Sequence, residues 1–288
     1  MSEVKTIDTL SADIETILQE GFFPSEENIE LMGENIKELL RTRFSDYKTK
    51  GEPKTLRMSN LGKGSRSLYY DLKETDPYKD PYSAQTRVKF FIGDLLEQLF
   101  IFFIKEAGHT INSEQLELEI DGVLGHPDGV VDGIPLDIKT ASTYSFNDKF
   151  AKGNLLNKKE SDSFGYVGQI SAYAQALGAT EAAFLAIDKQ HGDWCVLKVE
   201  DIDMIDVPAK IAEVRHSLDN DEVPERCYDP IVHKNGNVEI SKNCFWCRHK
   251  HTCFEDANDG RGLRTFKYSN KKVDLIHVEK LPKVEELL

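Results

Sequence analysis

No cysteine occurs in the first 194 residues; all five fall between Cys195 and Cys253. Any thiol-ligated centre is thereby confined to the C-terminal third. Positive charge is also short, since 36 Lys and Arg against 50 Asp and Glu leave a net charge of −14. That balance excludes a protein that grips polyanions by its overall field, so any nucleic-acid surface has to be local. No Gly-rich phosphate loop is present, which removes the P-loop and dinucleotide-binding classes. No internal repeat is present, which removes solenoids. The longest apolar run, residues 90–104, is broken by Gly93, Asp94, Glu97 and Gln98 and cannot serve as a membrane span. A secretory signal is missing too, so a reducing, cytoplasmic setting is expected and disulfides are disfavoured.

What is present centres on residues 116–140. Leu116-Glu117-Leu118-Glu119-Ile120 alternates apolar and polar residues, the period of a half-buried strand. Asp121-Gly122 is a turn pair, residues 123–131 read as a second strand distorted at Pro127, and Asp132-Gly133 is another turn. Residues 134–140 read as a third, alternating strand. Asp137 and Lys139 therefore share one face, while Leu136 and Ile138 point the other way into a core. A hairpin between the second and third strands brings Asp128 beside Asp137.

Two neighbouring carboxylates and an amine suit one chemistry. Mg²⁺ or Mn²⁺ takes oxygen ligands from carboxylates, water and a substrate phosphate. The ion acidifies bound water and offsets charge building on the phosphate. Lys139 then orients the water or stabilises the transition state. Asp-x-Lys alone is common on protein surfaces, and it is the hairpin context that gives it weight. Glu97 lies on an apolar helix, on one face with Phe90, Gly93, Ile101 and Ile104. A carboxylate there needs a partner, which a metal or its water would provide. Gln169 and Tyr173 are four apart on a helix over residues 166–177 closed by Gly178, so they share a face.

Pro127-Asp128 followed by Asp137-x-Lys139 resembles the PD-(D/E)xK nuclease superfamily. Gln169-Ile170-Ser171-Ala172-Tyr173 is similar to the Gln-x3-Tyr motif, and Arg57-Met58-Ser59-Asn60-Leu61-Gly62 with Arg66 to the Arg-x-Ser-x-Leu-Gly…Arg element, of its RecB-like and lambda-exonuclease-like branch. That branch includes CRISPR-associated and phage-encoded exonucleases. The resemblance runs from about residue 55 to about residue 255. It implies an α/β fold with a mixed central β-sheet flanked by helices, a restriction-endonuclease-like core. It also implies a Mg²⁺- or Mn²⁺-dependent deoxyribonuclease, an exonuclease rather than an endonuclease, serving recombination, replication or repair of a phage type. Asp128, Asp137 and the Ile138 carbonyl would hold the metal, with Glu97 completing the shell. Lys139 would place the water; Gln169 and Tyr173 would orient the lysine or bind substrate with Arg57, Ser59 and Arg66. DNA, double- or single-stranded, is the implied partner, with a single-strand-binding or strand-annealing protein as a further one.

Cys244 to Cys253 places three thiols and two imidazoles within ten residues, and Cys244-x2-Cys247 has the spacing of a metal-gripping knuckle. Cys227 is a candidate fourth ligand; His249 and His251 are others. In the relatives, three such cysteines join one N-terminal cysteine around an iron–sulfur cluster. Here that position falls within residues 61–66, which hold none. Zinc and iron–sulfur both suit an all-sulfur site and both stay open. Cys195, in a strand, reads as a plain core residue.

The chain divides into an N-terminal helical appendage (1–50), a nuclease core (51–222), a Cys-rich metal-binding module (223–258) and a charged, loosely packed tail (259–288). Residues 141–163 read as a mobile polar loop over the site, and residues 200–220 as a helix. Lys48, Lys50, Lys54, Arg57, Lys63, Arg66 and Lys73 form one basic stretch, and Lys149, Lys152, Lys158 and Lys159 another, which together would flank DNA. Tyr69, Tyr70 and Phe164 are candidates to stack on bases. Two rival readings stand beside the nuclease: a non-catalytic DNA-binding or assembly protein on a nuclease scaffold, and a metal-dependent enzyme acting on RNA or a small nucleotide.

Overall fold

Two aspartate–glycine turns set the register of the strands that carry the acids. In the computed structural model, which describes residues 4–44, 55–73, 83–112 and 116–287, Asp121, Gly122, Asp132 and Gly133 all take positive φ (48°, 71°, 50° and 86°). This is the two-residue hairpin geometry whose twist matches the flanking strands. After a short β1 (Ile111–Asn112), the first turn joins β2 (Leu118–Ile120) to β3 (Val123–Gly125). The second joins β4 (Gly129–Val131) to β5 (Ile134–Ala141). β5 runs parallel to β6 (Glu181–Asp188), and β6 antiparallel to β7 (Trp194–Glu200). The result is a mixed sheet, as expected, with the order β1-β4-β5-β6-β7.

Helices cover both faces. On one lie α1 (Leu10–Glu20) and, beyond α2 (Glu26–Thr42), α3 (Met58–Leu61) and α4 (Ser65–Lys73), the long α5 (Ala84–Glu106). Leu10 and Ile14 of α1 and Phe100 and Ile104 of α5 are buried against Leu136, Ile138, Leu185 and Ile187. On the other face lie α6 (Thr143–Ser145), a π-helical turn (Phe146–Ala151), α7 (Asn154–Asn157), α8 (Tyr166–Leu177) and α9 (Val207–Asp219). Phe146, Phe150, Ile170, Tyr173 and Ile211 pack there on Phe184 and Ala186. Each such side chain removed from water stabilises the fold by about 1.5–3 kcal/mol. A second five-stranded sheet, β12-β10-β11-β9-β8, is built from β8 (Ile231–Val232), β9 (Val238–Glu239), β10 (Arg264–Lys267), β11 (Lys272–His277) and β12 (Glu285–Leu287); α10 (Lys250–Cys253) lies between β9 and β10 in the chain.

Several expectations are corrected. Residues 141–163 are short helical turns rather than a loose loop, because Phe146, Phe150 and Leu155 are buried in the core. The charged tail is not loosely packed: residues 264–287 supply three strands around buried Phe266, Val273 and Leu275. β11 pairs with β9 across the expected boundary at residue 258, so the cysteine-rich module and the tail share one sheet. α5 is buried only toward its C-terminal end; Val88, Phe90 and Ile92 are exposed. Lys48, Lys50 and Lys54 lie outside the described residues. Among the described residues no helix is long and apolar enough to cross a membrane.

Candidate active site

The site begins where β4 stops pairing with β5. Gly129 faces Leu136, so two more residues of the same register would set Pro127 opposite Ile138. Proline has no N–H to give the Ile138 carbonyl, and pairing ends there. Instead the Asp128 carboxylate turns back and accepts the Ile138 N–H at 2.6 Å through Oδ2. One proline thus frees the strand edge and points an acid along it.

Asp137 and Lys139 project from β5 onto the α8 face and form an ion pair through Asp137 Oδ2. Asp137 is 1% exposed, and that oxygen has no hydrogen bond of good geometry. From α8, Gln169 Nε2 donates to Asp137 Oδ1 (3.1 Å) and to the Tyr173 hydroxyl (3.0 Å), while its Oε1 accepts from Lys139 Nζ (3.4 Å). The Tyr173 hydroxyl donates to the His126 carbonyl at 2.9 Å. The Gln-x3-Tyr pair therefore braces both the acid–lysine pair and the backbone just before Pro127. The His126 ring itself is solvent-facing, near Glu117, and has no part in the network.

The charges crowd one another. Burial, then the carboxylates of Asp137 and Glu97, raise the Asp128 carboxyl well above its usual range. Burial, then Asp94 and Asp137, push Glu97 up to about 7. Burial alone would lower Lys139, but Asp137 and Asp128 raise it above its ordinary value, so it stays an ammonium. Burial pushes Tyr173 up to about 12. Two neighbours were not legible in the motifs. The Tyr166 ring lies 5.1 Å from Lys139 Nζ, and its position three residues before Gln169 on the same helical face is the signal that could have found it. Asp94, one turn before Glu97, is paired with Arg43 Nε of the α2 C-terminus at 2.7 Å.

Other expected residues lie elsewhere. Arg57 begins α3 and Ser59 is on it, both exposed. The Arg57 stretch is anchored by a bridge to Leu124. Gly62 is there for space: a Cβ on it would overlap the Gly165 backbone, at the start of α8. Arg66 faces the cysteines and donates to the Pro224 carbonyl at 2.9 Å. Tyr69, expected to stack on bases, is buried and donates to Asp221 at 2.7 Å, which corrects that reading.

Cys227, Cys244, Cys247 and Cys253 are free thiols lining one cavity of about 530 Å³. A Cβ on Gly64 would overlap the Cys227 sulfur, so Cys227 lies against the segment 61–66. Burial, then the charges of Cys247, Cys253 and Cys227, push the Cys244 thiol up to about 12. His249 is bonded instead to Asp71 (3.0 Å). Cys195 is half-buried, and burial pushes its thiol up to about 11, as suits a core residue. Among the described residues no three His, Cys, Asp or Glu side chains form a ready-made coordination shell.

No protein-family model and no curated protein matches the sequence. Some solved structures are similar to part of it. An alkaline exonuclease (LHK-Exo) from Laribacter hongkongensis is 18% identical over 56% of this chain and 92% of its own, with a TM-score of 0.34. The same exonuclease in complex with dAMP gives 17%, 57%, 92% and 0.36. SSO0001 gives 14% identity over 71% of this chain and 91% of its own, with a TM-score of 0.36.

Proposed function

We propose that the protein is a metal-dependent deoxyribonuclease that hydrolyses phosphodiester bonds, acting as an exonuclease. The observation that carries this is a charge imbalance. Glu97, Asp128 and Asp137 surround one ammonium, Lys139, in a half-buried site where each carboxylate feels another. Three acids against one amine leave two negative charges when all ionise, which a divalent cation would balance. The hard oxygen donors suit Mg²⁺ or Mn²⁺.

Asp128, Asp137 and the Ile138 carbonyl would hold the ion, with Glu97 at its edge. The ion supplies Lewis acidity toward the phosphate and lowers the pKa of a water. The protein does the rest. Lys139, fixed by Gln169 and held cationic, orients the attacking water and meets charge developing on the phosphate. Arg57, Ser59 and Arg66 are proposed for the substrate backbone. Cys227, Cys244, Cys247 and Cys253 are proposed as ligands of zinc or an iron–sulfur cluster. Supporting this, they share one cavity, and Cys227 lies where a side chain at position 64 would be. Metal analysis and visible absorbance distinguish the two.

The test is digestion of end-labelled linear duplex and single strands with and without Mg²⁺. Lys139→Ala should lower cleavage by about 10²–10⁴-fold while DNA binding persists. Cleavage at the wild-type rate in that variant overturns the assignment.

A further inference from the structure

The cavity that Cys227, Cys244, Cys247 and Cys253 share also holds donors with nothing to donate to. Asn243 lines it and is 8% exposed, and its Nδ2 is buried without a hydrogen-bond partner. Arg66 lines it as well. Its Nη1 donates to the Pro224 carbonyl at 2.9 Å, but its Nε is buried and unpartnered. A buried N–H left without an acceptor is costly, and native proteins rarely keep one. Two such donors on residues lining one cavity mark a place where an acceptor belongs.

The donors come from two elements. Asn243 sits in a 3₁₀ turn (Lys242–Cys244), directly before Cys244, so one short turn carries an amide and a thiol together. Arg66 belongs to α4, and so does Ser67, which lines the cavity with its hydroxyl 3.8 Å from the Cys247 sulfur. A neutral thiol is a weak acceptor and answers such donors poorly. A sulfur that has given up its proton to a metal carries negative charge and open lone pairs. N–H and O–H groups directed at it then set how tightly the metal is held and, for an iron–sulfur cluster, the potential at which it works.

We propose that Asn243 Nδ2, Arg66 Nε and the Ser67 hydroxyl donate hydrogen bonds to the sulfurs of the metal-bound cysteines, and that Asn243 and Ser67 are positioning residues of that centre. This rests on the reading of the four cysteines as metal ligands and adds the groups that neutralise their charge once the metal is in place. It is independent of the nuclease reading, because none of the three donors touches Asp128, Asp137 or Lys139 through a hydrogen bond.

Asn243→Leu keeps the side-chain shape and removes the donor. Ser67→Ala removes the hydroxyl, and Ser67→Thr keeps it. The metal carried by the purified chain decides the readout. For an iron–sulfur cluster, a mediated redox titration should give a lower midpoint potential in Asn243→Leu and in Ser67→Ala, and a lower one still in the double variant. For zinc, the centre is exchanged for cobalt(II). Each lost donor should then move the sulfur-to-cobalt charge-transfer band to longer wavelength, because a thiolate without its hydrogen bond gives up an electron more easily. The ligand-field bands should keep the intensity of a four-coordinate site, and chelator competition should show metal binding weakened by about 10- to 100-fold. Ser67→Thr should match the wild type in either case. If Asn243→Leu does not fold, Ser67→Ala against Ser67→Thr carries the test by the same readouts. A potential or band that stays at its wild-type position in every variant that folds overturns the donors and leaves the cysteines as ligands. A chain that neither carries nor takes up metal overturns the ligand reading, and the donors with it.

Discussion

Glu97 carries a direct consequence for pH dependence. Burial first, then the carboxylates of Asp94 and Asp137, hold it near 7 rather than at the usual 4.5. A carboxyl raised in this way favours the folded protein fully below about 4.5, and that contribution is lost as pH rises through about 7. In chelator, Glu97→Gln is therefore expected to be more stable than wild type above pH 7, by on the order of 1–3 kcal/mol, with the gain vanishing in acid. A thermal-melt series across pH checks this. Cleavage has the opposite sign, because a metal-facing Glu97 has to be ionised. Activity should rise with pH as Glu97 ionises, at a lower pH than in the metal-free protein because a bound cation favours the carboxylate. Asp94→Asn removes one like charge and should move that limb to lower pH. A limb that stays in place in Asp94→Asn would show that Glu97 does not govern it. The acid and the lysine of β5 were legible at this scale because strand alternation puts Asp137 and Lys139 on one face. Tyr166 was not, since an aromatic at a helix start looks like core until the lysine beside it is seen.

Elements hold these residues by register. Both Asp–Gly turns could be read from sequence, since positive φ at two successive positions is a demand few residue pairs meet. The strands around the two turns and the Gly178-capped helix α8 followed from alternation and helical spacing, whereas the mixed sheet was implied by the resemblance alone. Residues 141–163 did not, because Phe146 and Phe150 are set among polar residues in short turns, one of them π-helical. Nor did the exposure of the α5 N-terminal half, which apolar composition masks. The link between α8 and the kink at Pro127 is the Tyr173 hydroxyl, donating to the His126 carbonyl at 2.9 Å and accepting from Gln169 at 3.0 Å. Tyr173→Phe should cost about 1 kcal/mol of stability, read from denaturant midpoints. Its effect on cleavage should be larger, about tenfold or more, because Gln169 and the backbone before Asp128 both lose an anchor. Equal small losses in both would make Tyr173 a packing residue alone.

Across the whole molecule, the N-terminal helices and the C-terminal strands are joined to their neighbours by buried charge as well as apolar contact. His109 bonds Asp132 through Nδ1 at 2.6 Å and Asp13 of α1 through Nε2 at 3.1 Å, fastening α1 to the β4–β5 turn. Sequence hid this because the three residues are far apart in the chain. It hid the second sheet for a similar reason: β8, β9 and β12 are two or three residues long and carry little pattern. Asp274 of β11, 2% exposed, ties that sheet to the cysteine-rich segment by accepting from Lys250 (2.6 Å) and Thr265 (2.6 Å). Removing one partner of a buried pair strands the other and costs about 3–5 kcal/mol; Lys250 keeps some contact with water, so the lower end applies. Asp274→Ala should therefore loosen residues 231–287 while leaving the central sheet intact. Cys244, Cys247 and Cys253 would then react faster with a thiol reagent, and any metal they hold would be lost at lower chelator concentration. Because β5 and α8 contact neither Lys250 nor Asp274 in this way, Mg²⁺-dependent cleavage should survive where the thiols have become reactive. If thiol reactivity and cleavage instead collapse together, the second sheet supports the active site directly, and the two halves of the protein form one cooperative unit.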